Sequence, residues 1–227
     1  MTKAVSMCWL AILFALGSGV TASAVPGSYA TKILSTPDGF KAPRLSAINA
    51  SGLIAGTAQD GLGRTHAFVW EGGDSIRELA TPAGYIACGI HDMNDLGQCV
   101  GYATDASDNS HAIVWDADGT PRDLGALDGL YSIARGINNS GQIAGSSGAP
   151  DGTVHAMLWN ASGGFTDLGQ TYGWGWSRAH DINDSGQVVG ASGGGSWTAF
   201  LLSGNSRIVT CAAKNVHVVH HAATRSL

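Results

Sequence analysis

Between Leu45 and Leu202 short apolar runs alternate with clusters of Gly, Asn, Asp and Ser. Residues 132–168 show the pattern well. Residues 132–138 lead into a polar bend and residues 142–147 lead out of it, and residues 154–160 (VHAMLWN) and 164–168 follow. Each run is short, rich in apolar or β-branched residues and bounded by turn formers, which predicts four strands. The VHAMLW run is apolar on both alternating faces, as expected of a strand covered on both sides. No segment beyond the N-terminal leader sustains a 3.6-residue period with start and stop signals, so no helix is predicted.

The pattern repeats. Ile48-Asn49-Ala50-Ser51-Gly52-Leu53-Ile54-Ala55-Gly56 returns as Met93–Gly101 (MNDLGQCVG), Ile137–Gly145 (INNSGQIAG) and Ile182–Gly190 (INDSGQVVG), at steps of 45, 44 and 45 residues. A second motif keeps the same beat: His66-Ala67-Phe68-Val69-Trp70, His111-Ala112-Ile113-Val114-Trp115 and His155-Ala156-Met157-Leu158-Trp159, decaying to Thr198-Ala199-Phe200-Leu201-Leu202. A third follows it as Arg77-Glu78-Leu79, Arg122-Asp123-Leu124-Gly125 and Thr166-Asp167-Leu168-Gly169. Four strands in about 45 residues is the size of one propeller blade. The expected fold is therefore all-β: four antiparallel four-stranded units, propeller-like, with an open arc of blades or a β-solenoid as alternatives. Residues 29–34 could complete the last blade and close the ring, or residues 207–211 could fill that slot.

Within INNSGQIAG, Asn138 can accept a local backbone N–H, Asn139 and Ser140 fill the bend, and Gly141 can take the positive φ of a bulged hairpin loop. Gly145 is expected to be closely packed. The same turn accounts for three of the four N-x-[ST] acceptors, at Asn49, Asn138 and Asn183, leaving Asn160; these matches are read as coincidence.

The motif set INxxGQ(I/V)(V/A)G, HA(F/I/M)(V/L)W and DLG resembles the bacterial extracellular HAF-repeat family, over roughly residues 45–202. His66-Ala67-Phe68 preserves the triplet behind that name. The resemblance implies a secreted or surface β-repeat protein and carries over no catalytic residues. Unit four departs from it, with Thr198 in place of the histidine and Leu202 in place of the tryptophan. The C-terminal tail lacks the apolar helix and basic end that serve some members as a sorting signal.

Composition narrows the function classes. Residues 1–24 read as an export signal: Lys3, an apolar stretch at residues 8–16 too short to span a bilayer, and a small-x-small site at Ala22-Ser23-Ala24. The repeat domain then covers residues 25–211, and residues 212–227 form a tail expected to be disordered. No later segment is apolar and long enough for a membrane helix. Charged residues are only 13% and the net charge is −5, which argues against a nucleic-acid partner. Beyond the signal, Cys88, Cys99 and Cys211 do not make a disulfide framework; a Cys88–Cys99 bridge is possible in principle but not expected.

Candidate chemistry is sparse. His66, His111 and His155 stand on separate blades and so are spaced apart; their expected role is a buried link from imidazole to a turn backbone. His91-Asp92 and His180-Asp181 precede the turns of units two and four, where two His-Asp pairs could converge on an ion across a closed ring. DMNDLG and DINDSG echo calcium loops, but the second Asp comes one residue early and no bidentate Glu follows. The tail's His217, His220 and His221 could hold a metal with Cys211.

The most individual stretch is Tyr172-Gly173-Trp174-Gly175-Trp176, joined in the same unit by Trp197. Alternate aromatics on an extended chain point one way and can stack on sugar rings, so these four residues are the ligand-binding candidates. There is no nucleophile elbow, P-loop, HExxH or CxxC, and no cofactor is implied. Expected is a secreted binding or surface-interaction module with a carbohydrate or surface-protein partner. The alternatives are a glycan-acting enzyme and a purely structural envelope protein.

Overall fold

The computed structural model describes residues 33–72, 75–160 and 162–203, and the backbone of two further strands, Arg207–Ala212 and Asn215–His220. The export signal and the stretch 29–32 lie outside the described residues, as do the side chains of Cys211, His217 and His220 and the whole of His221.

Four antiparallel sheets follow one another along the chain. The first holds β1 (Lys41–Ile48), β2 (Ile54–Gln59), β3 (Thr65–Gly72) and β4 (Ser75–Glu78). The second holds β5 (Tyr85–Met93), β6 (Cys99–Asp105), β7 (Ser110–Trp115) and β8 (Pro121–Asp123). The third holds β9 (Ser132–Ile137), β10 (Ile143–Gly148), β11 (Val154–Trp159) and β12 (Phe165–Asp167). A single helical turn, α1 (Leu168–Tyr172), then leads to β13 (Ser177–Ile182), β14 (Val188–Ser192), β15 (Thr198–Ser203), β16 (Arg207–Ala212) and β17 (Asn215–His220). Strands pair in chain order within every sheet. The last sheet thus takes its fourth strand from β16 rather than from the N-terminal stretch, and β17 adds a fifth within the tail.

Each first strand slips register at one shared place, and β1 and β5 slip a second time nearer their starts. The residue left unpaired at the shared place is Ser46 in β1, His91 in β5, Arg135 in β9 and His180 in β13. Such a bulge bends the strand and re-aims its side chain. It also explains the last glycine of the nine-residue motif. A Cβ on Gly56, Gly101, Gly145 or Gly190 would run into the backbone carbonyl oxygen of Arg44, Gly89, Ile133 or Arg178, respectively. The other motif glycine has a separate reason: Gly52, Gly97, Gly141 and Gly186 all sit at positive φ, between 72° and 83°.

The sheets stack through their first strands, with β5 on the first sheet, β9 on the second and β13 on the third. Three apolar layers fill the gaps. Ala55, Ala67, Val69 and Leu79 meet Ile90, Met93, Ile113 and Trp115; Val100, Ala112 and Val114 meet Ile137, Ile143, Met157 and Trp159; Ala144, Ala156 and Leu168 meet Ala179, Ile182, Val188 and Phe200. The HAFVW-type strands are apolar on both faces because each contributes to two layers. The motif tryptophans also tie each of the first three sheets to the connection before it. Their indole N–H groups donate to Ser35 O from Trp70 (3.1 Å), to Ala80 O from Trp115 (2.8 Å) and to Leu124 O from Trp159 (3.1 Å). Leu34 and Phe40 cover Phe68 and Trp70, which keeps the described N-terminal segment on the first sheet.

A ladder of side chains joins the turns. The Nδ2 of Asn49, Asn94 and Asn138 donates to the carbonyl of Asn94, Asn138 and Asn183 at 3.3, 3.1 and 3.0 Å. In parallel, the N–H groups of Ala50, Asp95 and Asn139 donate to side-chain oxygens of Asp95, Asn139 and Asp184, each at 2.8 Å. Within each turn the asparagine Oδ1 accepts two backbone N–H groups, for Asn138 those of Ser140 and Gln142. The acceptor asparagines Asn49 and Asn138 are therefore buried. At the start of the array, Leu45 and Ile48 are 56% and 69% exposed, whereas their counterparts Ile90, Met93, Ile137 and Ile182 are at most 6%. Among the described residues no sheet covers these two side chains of β1, and the four sheets form an arc of propeller-type blades.

Cys88 and Cys99 are free, buried thiols. Burial raises both pKa values, that of Cys99 to about 12.

Gly145→Ala should destabilise the protein by about 1–3 kcal/mol, because backbone must move to admit the methyl group. Asn138→Ala should cost about 2 kcal/mol, since it strips four partners from a buried turn. Asn183→Ala, exposed and without a following turn to bond, should cost less. Urea denaturation of the three variants checks the order.

Candidate functional site

Three places gather polar or aromatic groups: the HAF histidines, the bulged first strands, and the aromatics of unit four.

The histidines pair with the carboxylate of the third motif, twelve residues on across a hairpin. The Nδ1–H of His66 donates to Glu78 (2.7 Å), that of His111 to Asp123 (2.9 Å) and that of His155 to Asp167 (2.8 Å). The expected link to a turn backbone holds only at Nε2 of His111, which meets Gly129 O at 3.1 Å. Nε2 of His66 faces Asp60 and that of His155 faces Thr153 Oγ1. Antiparallel register is the reason: β3 and β4, β7 and β8, and β11 and β12 place the two motifs side by side. Tyr85 O–H also donates to Asp123, at 2.6 Å.

Charge on this dyad is shared unequally. Burial disfavours the cation of His111, but hydrogen bonds to Asp123 and Gly129 outweigh it and raise the pKa above its ordinary value. Burial likewise opposes ionisation of Asp123, yet donors from Tyr85, His111 and the Gly125 N–H hold its pKa below the usual carboxylate value. These groups are locked to one another, which suits a strap between strands.

At the bulges His91 is half-buried and His180 is exposed. His91 Nδ1 donates to Ala134 O at 2.8 Å, and Ser46 O–H makes the equivalent bond to Ile90 O. Asp92 accepts from the N–H groups of Met93 and Ile137, but burial outweighs these bonds and raises its pKa. Asp181 accepts from Ile182 N–H. Among the described residues no group of three or more His, Cys, Asp or Glu is gathered as a metal centre. A cleft of about 440 Å³ opens between the first two sheets, lined in part by Arg44, Ser46, His91 and Tyr102.

The four aromatics divide into two pairs. Leu168–Tyr172 is helical, with Asp167 as N-cap and Gly173 as a left-handed C-cap, so the Tyr-x-Trp-x-Trp stretch does not run extended as the sequence suggests. Tyr172 instead stacks on Trp174 (4.9 Å between centroids), and Trp174 stacks on Phe200 (4.6 Å), against the core. Trp176 and Trp197 stay at the surface, 37% and 54% exposed. The loop before β15 returns to the start of β13, where Gly193 N–H donates to Trp176 O, and Arg178 lies 5.9 Å from the Trp197 ring centre. Arg178 is not among the residues that the sequence singles out; its place two residues after Trp176 and two before His180 is the signal that could have marked it.

No protein-family model matches the chain, and no curated protein does either. Among solved structures it is similar to TolB from Acinetobacter baumannii, with a TM-score of 0.53 at 16% sequence identity. The match covers 78% of this chain and 45% of that one, so the chain spans less than half of TolB's length. The likeness shows the β-propeller scaffold. No helix among the described residues is long and apolar enough to cross a membrane.

The His111–Asp123 pair should leave a defined pH signature. The raised histidine stabilises the fold fully below its ordinary value of 6.5, and that contribution is lost as pH rises through the higher folded value. The depressed aspartate stabilises above its ordinary value of 3.8, with loss as pH falls through the lower folded value. The stability gap between wild type and Asp123→Asn should therefore be widest between these two values and narrow on either side. Denaturant melts across pH check this.

Proposed function

We propose that the chain is an exported interaction module on a propeller-type scaffold, binding a partner through the surface of unit four. The observation that carries this reading is the exposed pair Trp176 and Trp197 with Arg178 beside it, in the unit that departs from the repeat. The other described tryptophans serve packing: Trp70, Trp115 and Trp159 are buried and Trp174 is stacked on Phe200. Exposed tryptophan next to arginine is the pairing that interface cores favour. The motif set supports placing the chain with HAF-repeat proteins, and the leader-like residues 1–24 support export to the periplasm or cell surface.

A glycan is a second reading of the same surface, favoured by the capacity of flat indoles to stack on sugar rings. The two readings share one address and differ in partner. An enzymatic role would instead show as polysaccharide turnover abolished by one Asp or Glu substitution.

The double variant Trp176→Ala/Trp197→Ala should lose at least tenfold in binding to bacterial surface material while its melting temperature is unchanged. Trp174→Ala should lower the melting temperature, because its stack on Phe200 belongs to the core. A glycan array run beside a pull-down with surface proteins distinguishes the partners. Undiminished binding by the double variant to both probes would remove unit four as the contact surface.

A further inference from the structure

The bulges put an unusual set of side chains on the first strands. At the bulge itself stand Ser46, His91, Arg135 and His180, and two residues earlier stand Arg44, Gly89, Ile133 and Arg178. These eight positions hold three arginines, two histidines and no carboxylate, in a chain whose net charge is −5. The ion pairs of the described residues involve Arg64, Arg77 and the HAF histidines; Arg44, Arg135 and Arg178 enter none. The Nε atoms of Arg135 and Arg178 are shielded from solvent and have no acceptor. A buried charged donor without a partner is unfavourable, and a fold that repeats the arrangement on neighbouring strands is suited to an acceptor from outside.

The strands concerned lie side by side. Gly136, next to Arg135, packs against Asp181, next to His180, so the bulges of β9 and β13 adjoin. Asp92 and Asp181 follow their bulges, but they turn their oxygens to the N–H groups of Met93, Ile137 and Ile182 rather than to a guanidinium. On the far side of β5, Arg44 and His91 line the 440 Å³ cleft, which has the size of a small-molecule site. At the other end of the stripe Arg178 is steadied by Trp197.

We propose that this stripe is an anion-binding site, in which Arg135 and Arg178 grip the carboxylate or phosphate of a small ligand and Arg44 and His91 line the cleft for the rest of it. Guanidinium groups suit this task because their planar forks match two oxyanion oxygens at once. The local field agrees with the geometry. Burial first, then Arg135, lowers the pKa of His91; burial first, then Arg135 and Arg178, lowers that of His180.

The test is calorimetric titration of the whole protein with inorganic phosphate and, separately, with citrate. Binding of either anion should weaken at least tenfold in Arg135→Gln and in Arg178→Gln. Arg122→Gln, an equal charge change on an outer strand, should leave it unaltered. Arg135→Lys, which keeps the charge and loses the fork, should fall between. Tighter citrate than phosphate would assign a carboxylate ligand and the reverse a phosphate. Absence of binding by both anions would overturn the proposal, and so would an equal loss in Arg122→Gln, which signals diffuse charge. Should Arg135→Gln fail to fold, Arg178→Gln and Arg135→Lys carry the test. Arg178 is shared with the tryptophan surface, so Arg135→Gln, which lies outside that surface, separates failure of this site from failure of that one.

Discussion

One close approach governs this architecture: the backbone carbonyl oxygen at each first-strand bulge presses on the residue opposite it, and only glycine leaves room. Four glycines, Gly56, Gly101, Gly145 and Gly190, meet that requirement. The bulge they permit bends the innermost strand, and bending lets neighbouring sheets converge on one side while fanning apart on the other. It also frees one residue per unit from strand pairing. Serine, histidine and arginine occupy that position in the four units, and Ser46 and His91 use it to bond a backbone carbonyl of the next sheet.

Everything else that joins the sheets is local to adjacent pairs. The apolar layers, the tryptophan N–H bonds and the asparagine ladder each connect a unit to its immediate neighbour. Stability in such an array is close to a sum of unit and interface contributions. The asparagine ladder deserves separate weight within that sum, because the same side chain closes its own turn through Oδ1 and reaches the next turn through Nδ2. A single residue type therefore sets both the hairpin and the spacing between hairpins.

Much of the fold was legible because the repeat states each instruction several times. Strand limits in the third unit fall within about a residue or two of those expected, and the positive φ of Gly141 follows from its turn. What a repeat conceals is pairing between motifs. The partnership of His111 with Asp123 depends on hairpin register, which a constant spacing of twelve implies but composition does not show. The aromatic stretch misled for a different reason: Asp167 caps a helical turn there, and that local bond overrides the extended alternation of Tyr172, Trp174 and Trp176. The arginine stripe was hidden because Arg44, Arg135 and Arg178 stand 91 and 43 residues apart in the chain, on strands that come together only once the sheets stack.

The two buried thiols carry a last consequence. With a pKa near 12, Cys99 holds a thiolate fraction on the order of 10⁻⁵ at neutral pH, and only the thiolate attacks a disulfide. Cys88, also buried, is shifted in the same direction. Folding thus silences both groups as nucleophiles, and an oxidising environment can exchange disulfides with them only while the second sheet is open. The folded chain needs no partner thiol to remain chemically inert at these positions.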